Sequence, residues 1–270
     1  MELAENDELG AGNCSVVWNV ADKAVVQPVT DIELPTSLDL LPIRRVGTYC
    51  DAPNTIAMFP AVRDGYVLML TVESRLELAW LQHLACDPRV SGLYTQPCLL
   101  LWTHEEGKAW RVPDLAAVID GRLVFFDVKH SVRLEEPWTQ MAFKLTARSL
   151  ADAGVPYEVL SEMSAQRAHN LQLLSRYRWW NPALAEATAA VRDARPHTAA
   201  GLIRIIADLQ SSGKKLRDES AVLEPDALGV GQAVLFHLLA TGQCSADLDA
   251  PLRVVTGLTW PEQADSGGAQ

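Results

Sequence analysis

Two apolar segments that meet at a two-residue turn constrain this chain more than any other feature. Val112-Pro113-Asp114-Leu115-Ala116 leads to Asp120-Gly121, and Leu123-Val124-Phe125-Phe126 then ends abruptly in Asp127-Val128-Lys129-His130. Asp-Gly between apolar runs is a strong hairpin signal, because both turn positions need positive φ. A hairpin closed there sets Asp114, at the end of one strand, beside Asp127, at the end of the other. Side chains alternate along a strand, so Asp127 and Lys129 leave the same face. Two carboxylates and an ammonium group are therefore expected at one edge of a small sheet. Hard divalent cations such as Mg2+ are held by one or two carboxylates and keep several waters. Such an ion polarises a phosphoryl oxygen and acidifies bound water, while a nearby Lys orients that water or steadies developing charge. Alone, a Pro-Asp pair usually starts a turn, and Asp-x-Lys at a strand end is usually a solvated ion pair. Their joining through one hairpin favours a site.

A third carboxylate lies upstream. Leu76, Ala79, Trp80, His83 and Leu84 fall at helical spacing, and Asp87-Pro88 stops the run. Glu73 and Glu77, four apart, share one face of that helix, with one turned toward the hairpin and the other solvated. Residues 66–70 precede it as a strand, and Cys98-Leu99-Leu100-Leu101-Trp102 follows as another. After Lys129, Glu135-Glu136-Pro137 opens a helix expected to carry Trp138, Met141, Leu145 and Leu150 inward, and Gly154 closes it. Residues 155–160 return as a strand. This order predicts an α/β domain, a mixed sheet flanked by helices, over residues 61–163. Residues 1–60, punctuated by Pro28, Pro35, Pro42, Pro53 and Pro60, read as an N-terminal extension or a set of short strands.

The ordered pattern Glu73-Ser74-x-Leu76-Glu77, Asp87-Pro88-x-Val90, Gln96-Pro97, Pro113-Asp114 and Asp127-Val128-Lys129 resembles that of TnsA-type endonucleases. These are the nuclease subunits of heteromeric transposases, within the PD-(D/E)xK, restriction-endonuclease-like group. The resemblance covers roughly residues 60–180 and implies a restriction-endonuclease-like sheet. It also implies that Glu77 is the helix carboxylate, with Glu73 the alternative, and that Asp114 is the central metal ligand. Asp127 stands at a variable acidic or amide position, where some members carry Gln, and Lys129 at the basic position. Glu77, Asp114 and Asp127 would hold Mg2+, with Mn2+ as substitute, in one or two ions. Hydrolysis would leave a 3′-hydroxyl and a 5′-phosphate at the 5′ ends of a transposon. The implied partners are DNA at the transposon ends, a TnsB-like DDE transposase and a TnsC-like AAA+ ATPase. A restriction or repair nuclease of the same fold, and a non-cutting assembly subunit, are the competing readings.

Charge agrees with a dependent subunit. A formal net charge of -11 suits poorly a protein that must hold DNA alone. Residues 137–217 nevertheless carry eleven basic against six acidic side chains, a local net of +5. The deficit begins at Glu2, Glu5, Asp7 and Glu8, so a partner is expected to supply recognition. Cys14, Cys50, Cys86, Cys98 and Cys244 show no CxxC pair or zinc spacing, which points to reduced thiols in a cytoplasm. No secretory signal pattern is visible, and no apolar run approaches the roughly 18 residues that span a bilayer.

Residues 164–263 read as a smaller, mostly helical domain, and residues 264–270 as a disordered polar tail. Residues 165–180 interleave Arg167, Arg176 and Arg178 with Tyr177, Trp179 and Trp180. That pattern means nucleic-acid contact or, more commonly, a helix whose aromatics are packed. Thr198 is a candidate N-cap for a helix over 199–209 with a stripe of Leu202, Ile205, Ile206 and Leu209. A further helix over 229–239 lacks Lys and Arg, and residues 248–260 look like a short β wing, giving a winged-helix-like unit suited to a protein partner. The six His residues form no ligand cluster, and Gly10-Ala11-Gly12-Asn13 opens no phosphate loop. Gln140 and Lys144 share a helix face best explained as solvated.

Overall fold

The computed structural model describes residues 13–35, 40–44, 56–63, 66–104, 107–179, 184–211 and 227–261. Residues 2–8, Gly10-Ala11-Gly12, Cys50, Trp180, Lys214, Lys215, Arg217 and the tail 264–270 lie outside that set. The chain forms two compact units, Met1–Leu84 with Arg89–Glu162 and Ala85–Pro88 with Met163–Gln270. In chain order the first contains β1 (Cys14–Val20), β2 (Lys23–Pro28), β3 (Leu40–Leu41), β4 (Ala57–Arg63), β5 (Tyr66–Val72) and α1 (Arg75–Ala85), whose last residue belongs to the second. It continues with β6 (Val90–Thr95), β7 (Cys98–His104), β8 (Gly107–Arg111), β9 (Leu115–Ile119) and β10 (Arg122–Val128). Helices α2 (Ser131–Leu134) and α3 (Pro137–Asp152) and strand β11 (Tyr157–Leu160) complete it. The second unit holds α4 (Ala165–Leu174), α5 (Ala185–Ala194), α6 (Ala199–Ser211) and α7 (Ala227–Ala240).

The architecture is mixed α/β. One sheet has the order β11-β10-β9-β6, another β2-β1-β7-β8 with β3 beside β1, and β4-β5 is a hairpin of its own. Only β10–β11 among these pairs is parallel. Strand alternation builds the core. Cys14, Val16 and Trp18 on β1 and Cys98, Leu100 and Trp102 on β7 point inward. They meet Ala116, Phe125 and Leu150 in one apolar cluster. Trp18 stacks on Phe125 at 6.4 Å, and the Trp102 indole N–H donates to Ser149 on α3 at 2.9 Å. Strand β10 is buried on both faces from Val124 to Val128, which is why it reads as a continuous apolar run.

Three sequence expectations change. The described part of residues 1–60 is no extension: β1 pairs along β7, from Cys14↔Trp102 to Trp18↔Cys98. Its inward residues recur at every second position, and that is the short-strand alternative. Trp138 is 51% exposed, while Phe143, Thr146, Ser149 and Leu150 are buried. The inward stripe of α3 follows three- and four-residue steps through those four, and Trp138, five before Phe143, falls off it. Helix α1 buries Leu81 completely, a position outside the expected stripe.

The described residues of the second unit are mostly helical, as expected for 164–263. Thr198 caps α6, its hydroxyl accepting from the Gly201 N–H at 3.1 Å. Helix α7, apolar nearly all round, is the core of the unit, burying Val230, Val234, Leu235, Leu238 and Leu239. That explains its lack of Lys and Arg. Tyr177 packs edge-on against Phe236 at 5.1 Å, and Arg167 pairs with Asp249 at 2.9 Å. The interleaved Arg and aromatic residues thus include packed and paired members. The stretch expected as a β wing makes two isolated bridges, Thr198↔Gly257 and Ser245↔Thr259, instead of a two-stranded ribbon. Cys14, Cys86, Cys98 and Cys244 are free thiols. No described helix is long and apolar enough to cross a membrane.

Candidate functional site

The hairpin forms at Asp120-Gly121, with φ of 50° and 78°. Those angles are the left-handed pair a two-residue hairpin turn needs, and a Cβ on Gly121 would meet nothing within 4 Å. The register runs from Arg122↔Ile119 to Phe126↔Leu115, which sets Asp114 and Asp127 side by side where the strands end. The Val128 backbone N–H donates to Asp114 Oδ2 at 2.8 Å, and the Gln96 N–H donates to the Asp114 carbonyl at 2.9 Å. Gln96 itself is buried with φ of 46°, so Asp114 is held through both its main chain and its carboxylate.

Asp127 lies on the Phe125 face and is 1% exposed. Its partner is a residue absent from the sequence reading. Arg111, at the end of β8 in the neighbouring sheet, places Nε 3.1 Å from Asp127 Oδ2 and Nη2 2.9 Å from Oδ1. The guanidinium lies over the Phe143 ring, 4.5 Å from its centroid, and the Tyr157 hydroxyl donates to Asp127 Oδ2. The Nη2 contact lacks hydrogen-bond alignment, so Oδ1 is a buried carboxylate oxygen without a hydrogen bond.

Glu77 caps its own helix, a role the sequence analysis did not anticipate. Its Oε1 accepts from the Ser74 hydroxyl at 2.8 Å and its Oε2 from the Glu73 N–H at 2.9 Å. Ser74 Oγ accepts in turn from the Glu77 N–H at 3.0 Å. Ser74-x-x-Glu77 is therefore a capping box closing the N-terminus of α1, with Glu77 reaching one residue further back than usual. Glu73 is not solvated as expected: Arg44 pairs with it at 2.6 Å.

Asp114 still feels the other two carboxylates. Burial, then the charges of Asp127 and Glu77, push the Asp114 carboxyl up to about 8, against the pull of the Val128 N–H and Arg111. Burial likewise raises Glu77. The Lys129 main chain extends the parallel pairing, its N–H donating to the Leu160 carbonyl at 2.8 Å. The Lys129 side chain is half-buried and makes no hydrogen bond or ion pair among the described residues. His130 pairs with Glu162 at 2.9 Å, away from the carboxylates, and Gln140 and Lys144 are exposed.

Among the described residues no three His, Cys, Asp or Glu side chains converge as a metal cage. Two carboxylates with water and phosphate suffice for Mg2+, however. Asp114 keeps one oxygen not engaged by Val128, and Asp127 keeps Oδ1 without a hydrogen bond. These hard oxygen donors fit such a cation, whereas Glu77 joins only by giving up the helix cap. Compared with known proteins, the chain matches no described family and no curated protein.

Proposed function

We propose that the chain is a metal-dependent DNA endonuclease, and more narrowly the TnsA-type nuclease subunit of a heteromeric transposase. The observation that carries the reading is the pair Asp114 and Asp127, adjacent where β9 starts and β10 ends, with Asp114 Oδ2 accepting from the Val128 N–H at 2.8 Å. Burial beside Asp127 and Glu77 pushes the Asp114 carboxyl up as well. A buried crowd of like charge is costly, and such perturbed groups cluster where a cation or a reaction makes use of them. Asp114 and Asp127 would hold Mg2+, or Mn2+ in its place, while Glu77 adds negative charge from the helix cap. Bound there, the ion would polarise the scissile phosphate and acidify water. Lys129 leaves the strand end with no side-chain partner among the described residues, which leaves its ammonium group available to orient the attacking water or offset charge at phosphorus.

The narrower parts of the reading rest on motif order and charge. They comprise the restriction-endonuclease-like core, the winged-helix-like second unit, cleavage at transposon 5′ ends, a cytoplasmic setting, and TnsB-like and TnsC-like partners. The test is Mn2+ titration of the chain with duplex DNA present, beside Asp114→Ala. Millimolar or tighter binding that is lost in the variant is the expected result, and identical titrations would overturn the reading.

A second reading has its own observation. Asp127 is engaged by Arg111 and Tyr157, and Glu77 by the cap. That arrangement suits a subunit that keeps the fold for assembly and does not cut. It predicts the identical titrations just described.

A further inference from the structure

Arg111 occupies the place where a cation would serve Asp127. Its guanidinium touches both carboxylate oxygens, yet only the Nε contact has hydrogen-bond alignment. A metal ion competes for the same lone pairs. Arg111 is not sealed in: its side chain keeps 24% of its surface, against 1% for Asp127. The Phe143 ring supports the guanidinium from one face, 4.5 Å away, and uses none of its in-plane N–H donors. A planar fork with solvent access and spare donors matches a phosphate as well as it matches a carboxylate.

Resting on the nuclease reading above, we propose that Arg111 is a removable counter-ion that couples DNA binding to metal loading. Without DNA it neutralises Asp127. An incoming backbone phosphate takes over the guanidinium, and Asp127 is then free to hold the cation beside Asp114. Tyr157, whose hydroxyl donates to Asp127 Oδ2, stays behind and keeps that carboxylate oriented. Arg111 is thus a positioning residue, and the coupling is reciprocal: DNA tightens metal, and metal tightens DNA.

The test measures Mn2+ binding to the full chain by the spin-resonance signal of free Mn2+, with and without a short duplex. Wild type, Arg111→Met and Arg111→Lys are compared. For wild type, DNA raises Mn2+ affinity by about tenfold or more. Arg111→Met without DNA binds Mn2+ about tenfold tighter than wild type, and DNA then adds little. Arg111→Lys, which keeps the charge and loses the fork, lies between. Thermal unfolding supplies a second readout, because a buried Asp127 without its partner is unfavourable. Arg111→Met therefore melts lower than wild type in metal-free buffer, and Mn2+ raises its Tm by more than it raises that of wild type. The proposal is overturned if Arg111→Met binds Mn2+ no more tightly than wild type. If that variant does not fold, Arg111→Lys with wild-type Mn2+ affinity and DNA response overturns it equally. Failure of the nuclease reading is separable, since it appears as equal Mn2+ binding by wild type and Asp114→Ala with DNA present.

Discussion

Asp114 is the residue at which local geometry and electrostatics conflict. Its position is fixed by the Val128 and Gln96 N–H groups, while burial, Asp127 and Glu77 oppose its ionisation. The folded carboxyl, at about 8, stays protonated where the unfolded chain, at the ordinary 3.8, has lost its proton. The stability contributed by Asp114 is therefore fully present below about pH 4 and is lost as pH rises through about 8. In metal-free buffer the wild-type Tm should fall between about pH 5 and 8, and Asp114→Asn should flatten that fall. Asn still accepts from the Val128 N–H, so at the upper end the variant should melt about 2–4 °C higher, equivalent to about 1 kcal/mol. Calorimetry of both proteins across that window checks it, and a difference independent of pH would contradict the argument. Sequence reasoning found Asp114 and Asp127 because a two-residue turn and strand alternation are local rules. It missed Arg111, sixteen residues before Asp127, because nothing in the chain between them fixes which carboxylate the guanidinium meets.

At the scale of the element, α1 allows the capping role of Glu77 to be told apart from the proposed metal-ligand role. Ser74→Ala removes a hydroxyl that serves both Glu77 and the helix N-terminus, and should cost about 1 kcal/mol in urea unfolding. Glu77→Gln keeps a side chain that works in a capping box, and its stability should stay within about 0.5 kcal/mol of wild type. If Asp114 and Asp127 are the ligands, Glu77→Gln also retains Mn2+ binding that Asp114→Ala abolishes. Loss of binding in Glu77→Gln would instead make Glu77 a ligand that leaves the cap. The capping role of Ser74 and Glu77 was missed from the sequence, although Ser-x-x-Glu before an apolar run is its local signal. The face of α3 was harder to read. Its apolar residues allow more than one stripe, and packing chose the one that leaves Trp138 outside.

For the whole molecule, a net charge of -11 limits the proposed contact with DNA. Counter-ion release gives little to an acidic chain, so fluorescence anisotropy with a generic duplex at physiological salt should give a Kd on the order of 10⁻⁴ M. Submicromolar binding by the chain alone would argue against a partner-delivered substrate. Long-range pairing also belongs to this scale. Strand β1 finds β7 across more than eighty residues, with Ser15 opposite Leu101, and no local signal chooses that partner. In the second unit a Cβ on Gly242, at φ of 66°, would come within 2.3 Å of Pro88. Glycine at that position follows from a neighbour distant in sequence.

The sequence by itself determined the elements whose causes are near neighbours. These are the Asp120-Gly121 hairpin, the helix stopped by Asp87-Pro88, the Thr198 cap, and the meeting of Asp114 with Asp127. Tertiary structure decided what each charge pairs with: Arg111 with Asp127, Arg44 with Glu73, and the Asp114 carboxyl with a field that no single strand creates. The physical reason is range. Turn and strand geometry act over a few residues, whereas burial and Coulomb forces act through space and depend on how the sheets are stacked.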